Sequence, residues 1–370
     1  MTKLTDVCDI QYGYAFDSKC FSNDKTLPPL VRIRDVKRGY SETFYSGEYP
    51  EEYIIHAGDL LVGMDGEFNI ARWKSRDALL NQRVCKIVAK DGTNEEYIRF
   101  FLSTTLKEIE KRTSFVTVKH LSAKELNKIE INIPNINEQT RIANSLRTLE
   151  NIITHRQKQL EKLDELVKAR FVEMFGEPIL NPKGWDMATI GDIVTEVKYG
   201  TSRPAVDGGK YPYLRMNNLT YDGHLDLTDL KRIDIPDNEI EKCIVRKGDV
   251  LFNRTNSVEL VGKTCVFDED EDMIIAGYII RVRLKPVMLP IVLSCFMNTD
   301  ALKKKLRDIA KGAVNQANIN AQELQAINIY LPPLALQEQF AIFVEQTDKS
   351  KFLALRIKEK IRRVKTHDQF

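Results

Sequence analysis

The sequence of 370 residues lacks the features that mark membrane, secreted and strongly basic proteins. No run approaches the roughly 20 apolar residues of a membrane-spanning helix, and the first residues contain no apolar signal segment. We therefore expect a cytoplasmic protein. The formal net charge is only +2, so the whole chain lacks the charge of a basic nucleic-acid-binding domain. Any contact with nucleic acid must depend on local patches.

Cysteine and histidine are few and scattered. The six cysteines include no Cys-x-x-Cys pair, and the five histidines occur singly. We expect reduced, mostly buried thiols and no metal site. The acidic run at 268–272 lacks the spaced ligands and the turn glycine of a calcium loop, so it indicates a solvated hairpin tip.

Catalytic motifs are also missing. The chain has no Gly-Lys-Ser/Thr phosphate loop, no Gly-x-Gly-x-x-Gly turn, no Gly-x-Ser-x-Gly elbow and no His-Glu-x-x-His pair. Asn-Pro-Lys-Gly at 181–184 lacks the second proline and the aromatic residue that an adenine methyltransferase would use to hold a flipped base. We expect no enzymatic activity, no catalytic residue and no cofactor in this chain.

The sequence does contain an internal repeat, which is the strongest guide to its architecture. Leu-Ser-Ala-Lys-Glu-Leu-Asn-Lys-Ile-Glu-Ile-Asn-Ile-Pro at 121–134 matches Ile-Asn-Ala-Gln-Glu-Leu-Gln-Ala-Ile-Asn-Ile-Tyr-Leu-Pro at 319–332, and the match continues through Gln139 and Gln337. Earlier matches pair Tyr12-Gly13 with Tyr199-Gly200, Val31-Arg32 with Leu214-Arg215, and Gly-Asp-Leu-Leu-Val at 58–62 with Gly-Asp-Val-Leu-Phe at 248–252. The chain therefore consists of two similar halves.

Each half combines short β-like runs, separated by Gly, Pro and Asn or Asp, with a long helix that follows them. We predict an α+β fold with two similar globular domains and two long helices. The predicted segments are a globular domain at 1–137, a helix at 138–176, a second globular domain at 177–335 and a helix at 336–370.

Both helices carry residues at coiled-coil spacing. The first seam consists of Ile142, Leu146, Leu149, Ile153, Leu160, Leu163, Val167 and Met174, with Arg156 and Arg170 at skipped positions, and the weaker second seam of Phe340, Phe343, Thr347, Ser350, Ala354, Ile357, Ile361 and Val364. Because a lone helix would leave its apolar stripe in water, we expect an antiparallel coiled coil that separates the domains. The alternative is that each helix packs flat on its own domain.

Basic and amide side chains lie beside turn residues in both halves, where loops present side chains to a partner. The candidate DNA contacts are Arg32, Arg34, Lys37, Arg38, Arg72, Lys74, Lys119 and His120 in the first half, and Arg203, Arg215, Asn217, Asn218, Asn253, Arg254, Thr255, Asn256, Lys263, Asn315, Gln316 and Asn318 in the second. Arg reads guanine and Asn or Gln reads adenine through paired hydrogen bonds, whereas Lys and Thr mostly bind phosphate. Singly, each is better explained as a turn residue that faces water, but two similar readers favour a two-part DNA site.

Seven segments together carry a family resemblance. They are Gly-Asp-Leu-Leu-Val-Gly-Met-Asp-Gly-Glu at 58–67, Leu-Asn-Gln-Arg-Val at 80–84, Phe-Gly-Glu-Pro at 175–178, Asn-Pro-Lys-Gly-Trp at 181–185, Gly-Asp-Val-Leu-Phe-Asn-Arg-Thr-Asn at 248–256, Leu-Pro-Pro-Leu at 331–334 and Gln-Glu-Gln-Phe at 337–340. Over essentially its whole length, the chain resembles the specificity (S) subunits of Type I restriction–modification systems.

The resemblance implies a non-catalytic DNA-binding subunit. Each globular domain would be a target-recognition domain that reads one half of a bipartite DNA sequence, while the helices set the spacing and dock two methyltransferase subunits. S-adenosylmethionine would bind to those subunits, and restriction subunits would add ATP- and Mg-dependent translocation and cleavage. Three alternatives stay open: a related system whose partner combines methyltransferase and nuclease, an enzyme whose site forms only in the fold, and a structural spacer.

Overall fold

The computed structural model describes residues 1–113, 119–313 and 316–367. The chain divides into two compact units, and each includes part of both long helices. Unit 1 comprises Met1–His155 and Ile357–Phe370, and unit 2 comprises Arg156–Arg356. In the part of the chain that the structure describes, no helix is both long and apolar enough to cross a membrane.

The first half of the chain contains eleven described strands and five described helices. The strands are β1 (Thr2–Lys3), β2 (Cys8–Tyr12), β3 (Phe21–Ser22), β4 (Leu30–Val31), β5 (Phe44–Tyr45), β6 (Ile54–Ile55), β7 (Leu60–Gly63), β8 (Asn69–Arg72), β9 (Ala78–Leu80), β10 (Val84–Ala89) and β11 (Glu130–Ile131). The helices are α1 (Leu4–Val7), α2 (Ile33–Arg38), α3 (Glu95–Arg112), α4 (Ala123–Leu126) and α5 (Ile136–Phe175), with 3₁₀ turns at Ser18–Cys20 and Glu51–Tyr53.

The second half repeats this order with insertions. Its strands are β12 (Asp186–Thr189), β13 (Val194–Tyr199), β14 (Tyr211–Leu214), β15 (Lys231–Ile233), β16 (Ile244–Val245), β17 (Val250–Asn253), β18 (Thr255–Asn256), β19 (Thr264–Val266), β20 (Met273–Ile275), β21 (Ile279–Leu284), β22 (Lys311–Ala313), β23 (Gln316–Asn318) and β24 (Asn328–Leu331). Its helices are α6 (Ile190–Ile193), α7 (Asp237–Cys243), α8 (Pro290–Met297), α9 (Asp300–Ile309), α10 (Ala321–Gln325) and α11 (Leu334–His367), with a 3₁₀ turn at Met216–Asn218.

The two units share one sheet arrangement. A four-stranded antiparallel sheet has the order β2-β10-β7-β8 in unit 1 and β13-β21-β17-β19 in unit 2. A smaller mixed sheet is built from shorter strands. It has three strands in unit 1, in the order β4-β9-β6, and four in unit 2, in the order β15-β14-β20-β16. In each smaller sheet the parallel pair has the same register, Val31 opposite Leu80 and Leu214 opposite Ile275. The repeat in the sequence is therefore a repeat of topology and register.

The matched glutamines explain why the repeat extends into the long helices. Gln139 is fully buried, its side-chain oxygen accepts from the amide of Asn94 at the start of α3, and its amide group donates to the carbonyl of Pro134. Gln337 makes the equivalent bonds to the amide of Leu289 before α8 and to the carbonyl of Pro332. Each glutamine thus satisfies a helix amide that would otherwise lack a partner and fixes the start of a long helix on its domain.

Both long helices begin before their predicted first residues. Helix α5 begins at Ile136, because the side chain of Asn135 accepts from the amide of Glu138 and caps the first turn. Helix α11 begins at Leu334, directly after two prolines, which lack the amide hydrogen that a first helical turn leaves unpaired. The predicted starts at 138 and 336 are therefore corrected by two residues each.

Within unit 2 the two helices run antiparallel. Asp164 of α5 lies 2.7 Å from the Nζ atom of Lys351, whereas Phe171, seven residues later, contacts Phe340, eleven residues earlier in α11. The rings of Phe171 and Phe340 have centroids 5.6 Å apart, and Phe175 completes the cluster. This pairing joins the core that covers the four-stranded sheet, so the helices pack both on each other and on the domain.

Most seam residues lie on inward-facing sides of the helices. Leu146, Leu160, Val167, Met174, Phe340, Thr347 and Ala354 are buried, Ile142, Leu149, Ile153, Leu163, Phe343, Ile357 and Ile361 are half-buried, and Ser350 is exposed. The Thr347 hydroxyl donates to the carbonyl of Phe343 in its own helix, which explains how a polar residue can be buried there. The side chain of Val364 lies outside the described residues. One correction concerns Phe171, which is buried beside the skipped position Arg170 because α5 also packs on the domain here.

Candidate nucleic-acid interface

Two β-turns occupy the same place in the two units. Each joins a central strand of the smaller mixed sheet to a strand of the antiparallel sheet. The first is at 81–84 between β9 and β10, and the second is at 276–279 between β20 and β21. The amide of Val84 donates to the carbonyl of Asn81 over 2.9 Å, and the amide of Ile279 donates to the carbonyl of Ala276 over 2.8 Å. We call these two segments the reader turns.

A glycine holds each reader turn from behind. The amide of Gly13 donates to the carbonyl of Val84, and the amide of Gly200 donates to the carbonyl of Ile279. A Cβ atom on Gly13 would lie 2.1 Å from the carbonyl oxygen of Asn81, and one on Gly200 would lie 2.1 Å from that of Ile275. Only glycine permits this approach, which accounts for the matched Tyr-Gly pairs.

The matched arginines also occupy equivalent positions. Arg32 precedes α2 and its amide donates to the carboxylate of Asp35, whereas the amide of Arg215 donates to the side chain of Asn218 over 2.8 Å. Asp35 and Asn218 are buried caps of the turns that follow. The prediction that Asn218 contacts DNA is therefore corrected, because its amide group also donates to the carbonyl of Asp226 and is not accessible.

Some predicted contacts in unit 1 are already paired within the chain. Arg72 is half-buried between Glu95 and Glu96 and donates to the carbonyl of Gly58, so the prediction that it contacts DNA is corrected. Three other basic side chains are more exposed than Arg72 but are also paired: Lys37 with Glu67, Arg38 with Glu42, and Arg34 with the buried Asp35 and Thr43. The Nζ atom of Lys119 donates to the carbonyl of Glu110.

Arg32 and Lys74 differ from these side chains. Both are exposed, and no carboxylate among residues 1–113, 119–313 and 316–367 forms an ion pair with either. A free surface cation of this kind releases counterions when it neutralises a phosphate. Arg32 and Lys74 therefore have the properties expected of side chains that contact the phosphate backbone of DNA.

A groove of about 470 Å³ lies beside the reader turn of unit 1. Its lining residues are Phe16, Ser18, Phe21, Arg32, Ile33, Arg34, Asn81, Gln82 and Arg83. Arg32 and Arg34 are among the DNA contacts predicted from the sequence, whereas the turn residues Asn81, Gln82 and Arg83 are not. The signal for them was present, since 80–84 is one of the segments that carry the family resemblance.

Arg83 takes part in a charged cluster at the rim of unit 1. Its Nε atom lies 3.4 Å from a carboxylate oxygen of Asp65, and its guanidinium lies 3.4 Å from the Nδ1 atom of His120. His120 also pairs with Asp65, which lies opposite it in an isolated β-bridge. The cluster orients Arg83 and leaves half of its side chain exposed.

In unit 2 a neutral pair, Thr255 and Asn318, replaces Asp65 and His120, and Arg254 lies nearby. Thr255 lies opposite Asn318 in the strand pair, and its hydroxyl donates to the Asn318 side-chain oxygen over 2.9 Å. The guanidinium of Arg254 lies over the ring of Tyr199, 4.9 Å from its centroid, and the Arg254 Nε atom is buried without a hydrogen-bond partner in the described part of the chain. Another nitrogen of this guanidinium donates to the carbonyl of Gly277 over 3.5 Å, so Arg254 lies beside the reader turn of unit 2.

Burial corrects three further predictions in unit 2. The amide group of Asn253 is buried and donates to the carbonyls of Thr255 and Tyr278, and Thr255 itself is buried. Lys263 is buried and donates to the carbonyl of Met216 over 2.7 Å, and this burial lowers the pKa of its ammonium group. These side chains hold the loops in place, and they are not accessible to DNA.

The remaining candidates of unit 2 have mixed surroundings. Arg203 forms a two-bond ion pair with Glu239, and Arg215 pairs with Asp229. Asn217 is exposed, and Asn256 donates to the side chain of Asn253. Asn315 and the side chain of Gln316 lie outside the described residues. For Arg203, Arg215, Asn217 and Asn256, contact with DNA stays a prediction.

Unit 2 also contains a cavity of about 920 Å³ beside its helix pair. Asp164 lines it and accepts from Lys351 and His224. Burial opposes the charged carboxylate, but these two partners outweigh it and lower the pKa of Asp164 to about 2. The cavity offers no metal centre, since no group of three or more His, Cys, Asp or Glu side chains in the described part of the chain could hold an ion.

All six cysteines are free; Cys8, Cys85, Cys243 and Cys265 are buried, and Cys20 and Cys295 are partly exposed. Burial raises the pKa of Cys8, Cys85, Cys265 and Cys295 to about 12. Because the thiolate is the reactive form, these thiols are poor nucleophiles at neutral pH. This confirms the prediction of reduced, mostly buried cysteines.

Comparison with known proteins shows that both units match the same family model. Residues 1–164 and 182–363 match the family model described as Type I restriction modification DNA specificity domain. The EcoBI specificity subunit of Escherichia coli is 31% identical, with coverage of 93% of this chain and 78% of that protein. The EcoKI specificity subunit of Escherichia coli K12 is 24% identical, with coverage of 86% and 75%.

Solved structures share the fold. The S subunit of a Type I restriction-modification system from M. genitalium aligns over 98% of this chain and 93% of its own, with a TM-score of 0.53 and 14% identity. A chain from a study of complex assembly and conformational transition of the type I R-M system aligns over 98% and 94%, with a TM-score of 0.55 and 18% identity. At these identities the likeness concerns the fold alone.

Proposed function

The chain belongs to the family of Type I restriction–modification DNA specificity subunits, and from this premise we propose that each unit reads one half of a bipartite DNA target. One observation supports the assignment of one half-site to each unit. The two units share one backbone framework around the reader turns, but they present different side chains on it. Two copies of one framework with different surfaces suit two half-sites of different sequence.

The side chains available at each reader turn belong to the types that recognise bases. Unit 1 presents Gln82 and Arg83 beside the free cation Arg32, and unit 2 presents Tyr278 and Arg254. Arginine and glutamine bind base edges in the major groove through paired hydrogen bonds, and aromatic rings contact the thymine methyl group. Arg32 and Lys74 would hold the backbone, since phosphate contacts position a protein without reading sequence.

The long helices would fix the distance between the two half-sites and bind the partner subunits. The support for this role is that Gln139 and Gln337 attach the start of each helix to its own domain. We propose that two methyltransferase subunits dock on this chain and that restriction subunits join them. S-adenosylmethionine, ATP and Mg would belong to those subunits, and this chain would supply sequence choice without catalysis.

A binding assay with the assembled methyltransferase complex tests this function. A pool of duplexes with randomised sequence is incubated with the complex, and the bound fraction is sequenced. We expect two short preferred motifs separated by a gap of fixed length. Equal recovery of every sequence would contradict the proposal.

A second assay separates this function from an enzymatic one. The isolated chain is incubated with duplex DNA and S-adenosylmethionine, and methylated adenine is measured. We expect no methyl transfer without the partner subunits. Methyl transfer by the isolated chain would show that the chain itself carries an active site.

A further inference from the structure

We propose that the two central side chains of each reader turn, Gln82-Arg83 in unit 1 and Gly277-Tyr278 in unit 2, determine which bases the unit prefers. This inference rests on the function proposed above. It assigns the choice of bases in each half-site to two adjacent positions and treats the surrounding framework as a common support.

The backbone of the two turns is held by the same hydrogen bonds. In addition to the closing bond of each turn and the glycine behind it, the amide of Met64 donates to the carbonyl of Arg83 over 3.0 Å. The amide of Arg254, at the equivalent position, donates to the carbonyl of Tyr278 over 2.9 Å. Each turn is therefore fixed at its first, third and fourth residues. Side chains on such a support are presented at a defined position, which recognition of a base edge requires.

The side chains on this support differ in every property that matters for bases. Gln82 is exposed, and no residue of the described chain forms a hydrogen bond with its amide group. That group can donate to and accept from the major-groove edge of adenine, while the oriented guanidinium of Arg83 fits the two acceptors of guanine. Unit 2 has no side chain at Gly277 and a half-exposed aromatic ring at Tyr278, which offers apolar contact instead.

The neighbours of the two turns also differ. Unit 1 has the Asp65–His120 pair beside Arg83, whereas unit 2 has the neutral Thr255–Asn318 pair and the guanidinium of Arg254, which donates to the carbonyl of Gly277. One backbone framework thus carries different side chains both on the turn and beside it, as two half-sites of different sequence require.

The backbone allows a reciprocal exchange. None of the four central residues has a positive φ, so neither turn needs glycine at these positions. A Cβ atom on Gly277 would lie 3.4 Å from the nearest atom, the carbonyl oxygen of Thr201, which is ordinary contact. The exchanges Q82G/R83Y and G277Q/Y278R should therefore fold, and unchanged thermal unfolding of each variant checks this.

The test is selection of bound duplexes from a randomised pool by each variant in complex with its methyltransferase partner. We expect Q82G/R83Y to change base preference at one or two positions of one half-site by about tenfold or more, with the other half-site and the gap unchanged. G277Q/Y278R should change only the other half-site. Gln322→Ala, an exposed glutamine on the short helix α10, serves as the control and should leave both half-sites unchanged.

Three results would overturn the inference. Unchanged motifs in both exchange variants would show that the turns do not read bases, and the bipartite motif of the wild-type chain would leave the proposed function intact. Equal weakening on every sequence would make the turns phosphate contacts. If the wild-type complex itself shows no preference, the proposed function and this inference fail together. The single variants Gln82→Ala and Tyr278→Ala give the same test should an exchange impair folding.

Discussion

At the scale of single residues, polar side chains near the reader turns divide into those that hold loops and those that remain available. The side chain of Asn253 is buried. Its nitrogen donates to two carbonyls of its own unit, and its oxygen accepts from the side chain of Asn256. Arg254, the next residue, is only half-buried, and its guanidinium lies beside the reader turn at Gly277. Adjacent residues therefore serve different purposes, and their substitution should have different consequences.

Asn253→Ala should lower the free energy of unfolding by about 1–3 kcal/mol, because it leaves buried carbonyls without donors. Denaturant unfolding of the isolated chain measures this loss. Asn217→Ala is the matched control, since Asn217 is exposed and its removal should change stability by less than about 0.5 kcal/mol. Equal stability of Asn253→Ala and wild type would mean that the buried amide group contributes nothing.

Arg254→Ala should weaken binding of the assembled complex to its target by about 1–3 kcal/mol and relax preference in one half-site only. Arg246→Ala is the control, because Arg246 is not a predicted DNA contact and pairs with Glu241 and Asp272, so its removal should relax preference in neither half-site. Binding is measured on the cognate duplex and on duplexes changed in either half-site. Equal weakening of Arg254→Ala on all duplexes, with a smaller salt dependence, would assign Arg254 to a phosphate.

At the scale of elements, the helix seam could be predicted from spacing because burial follows helical periodicity. The spacing could not show where α5 also packs on its domain, and there Phe171 enters the core beside the expected stripe. The structural role of Asn218, Asn253 and Lys263 could not be predicted either. In the sequence, a polar residue near a turn looks the same whether its side chain faces water or forms a buried hydrogen bond.

Leu160→Asp should destabilise the chain by several kcal/mol, because it buries an unpaired charge in the seam. Leu166→Asp on the same helix is the matched control, since Leu166 is 48% exposed whereas Leu160 is 9% exposed. Thermal unfolding of the two variants gives the comparison. Similar melting temperatures would contradict the helix packing described above.

The stability that Asp164 contributes should depend on pH. Because its pKa lies near 2 in the folded chain, below the ordinary 3.8, the contribution is present above about pH 4 and is lost as the pH falls through 2. Asp164→Asn should be less stable than wild type by about 1–2 kcal/mol at pH 6, a figure that allows for partial exposure. The difference should shrink towards pH 2 in denaturant titrations at each pH. A constant difference would contradict the assigned ion pair with Lys351.

Glu345→Gln provides the control for this titration. Glu345 also pairs with a lysine on α11, but both partners are mostly exposed. Solvent screens such a pair, so its removal should leave the stability nearly unchanged at every pH of the titration.

At the scale of the whole molecule, the repeat predicted the two-domain α+β architecture, and the comparisons confirm both it and the family. Matched segments such as Tyr12-Gly13 and Gln139 were informative because each performs one structural task twice. The residues proposed to read bases do not match between the two halves, so the repeat could not identify them. Gln82-Arg83 and Gly277-Tyr278 occupy equivalent positions but share no chemistry, so only the structure aligned them.

We propose that one chain selects two half-sites, one with each unit. The experiment is to map methylated adenines across the genome of a host that carries this gene and its neighbours, with the same host lacking the gene as the reference. We expect one two-part motif with a fixed gap to lose its methylation when the gene is deleted. Loss of a single continuous motif, or no change in an active system, would contradict it.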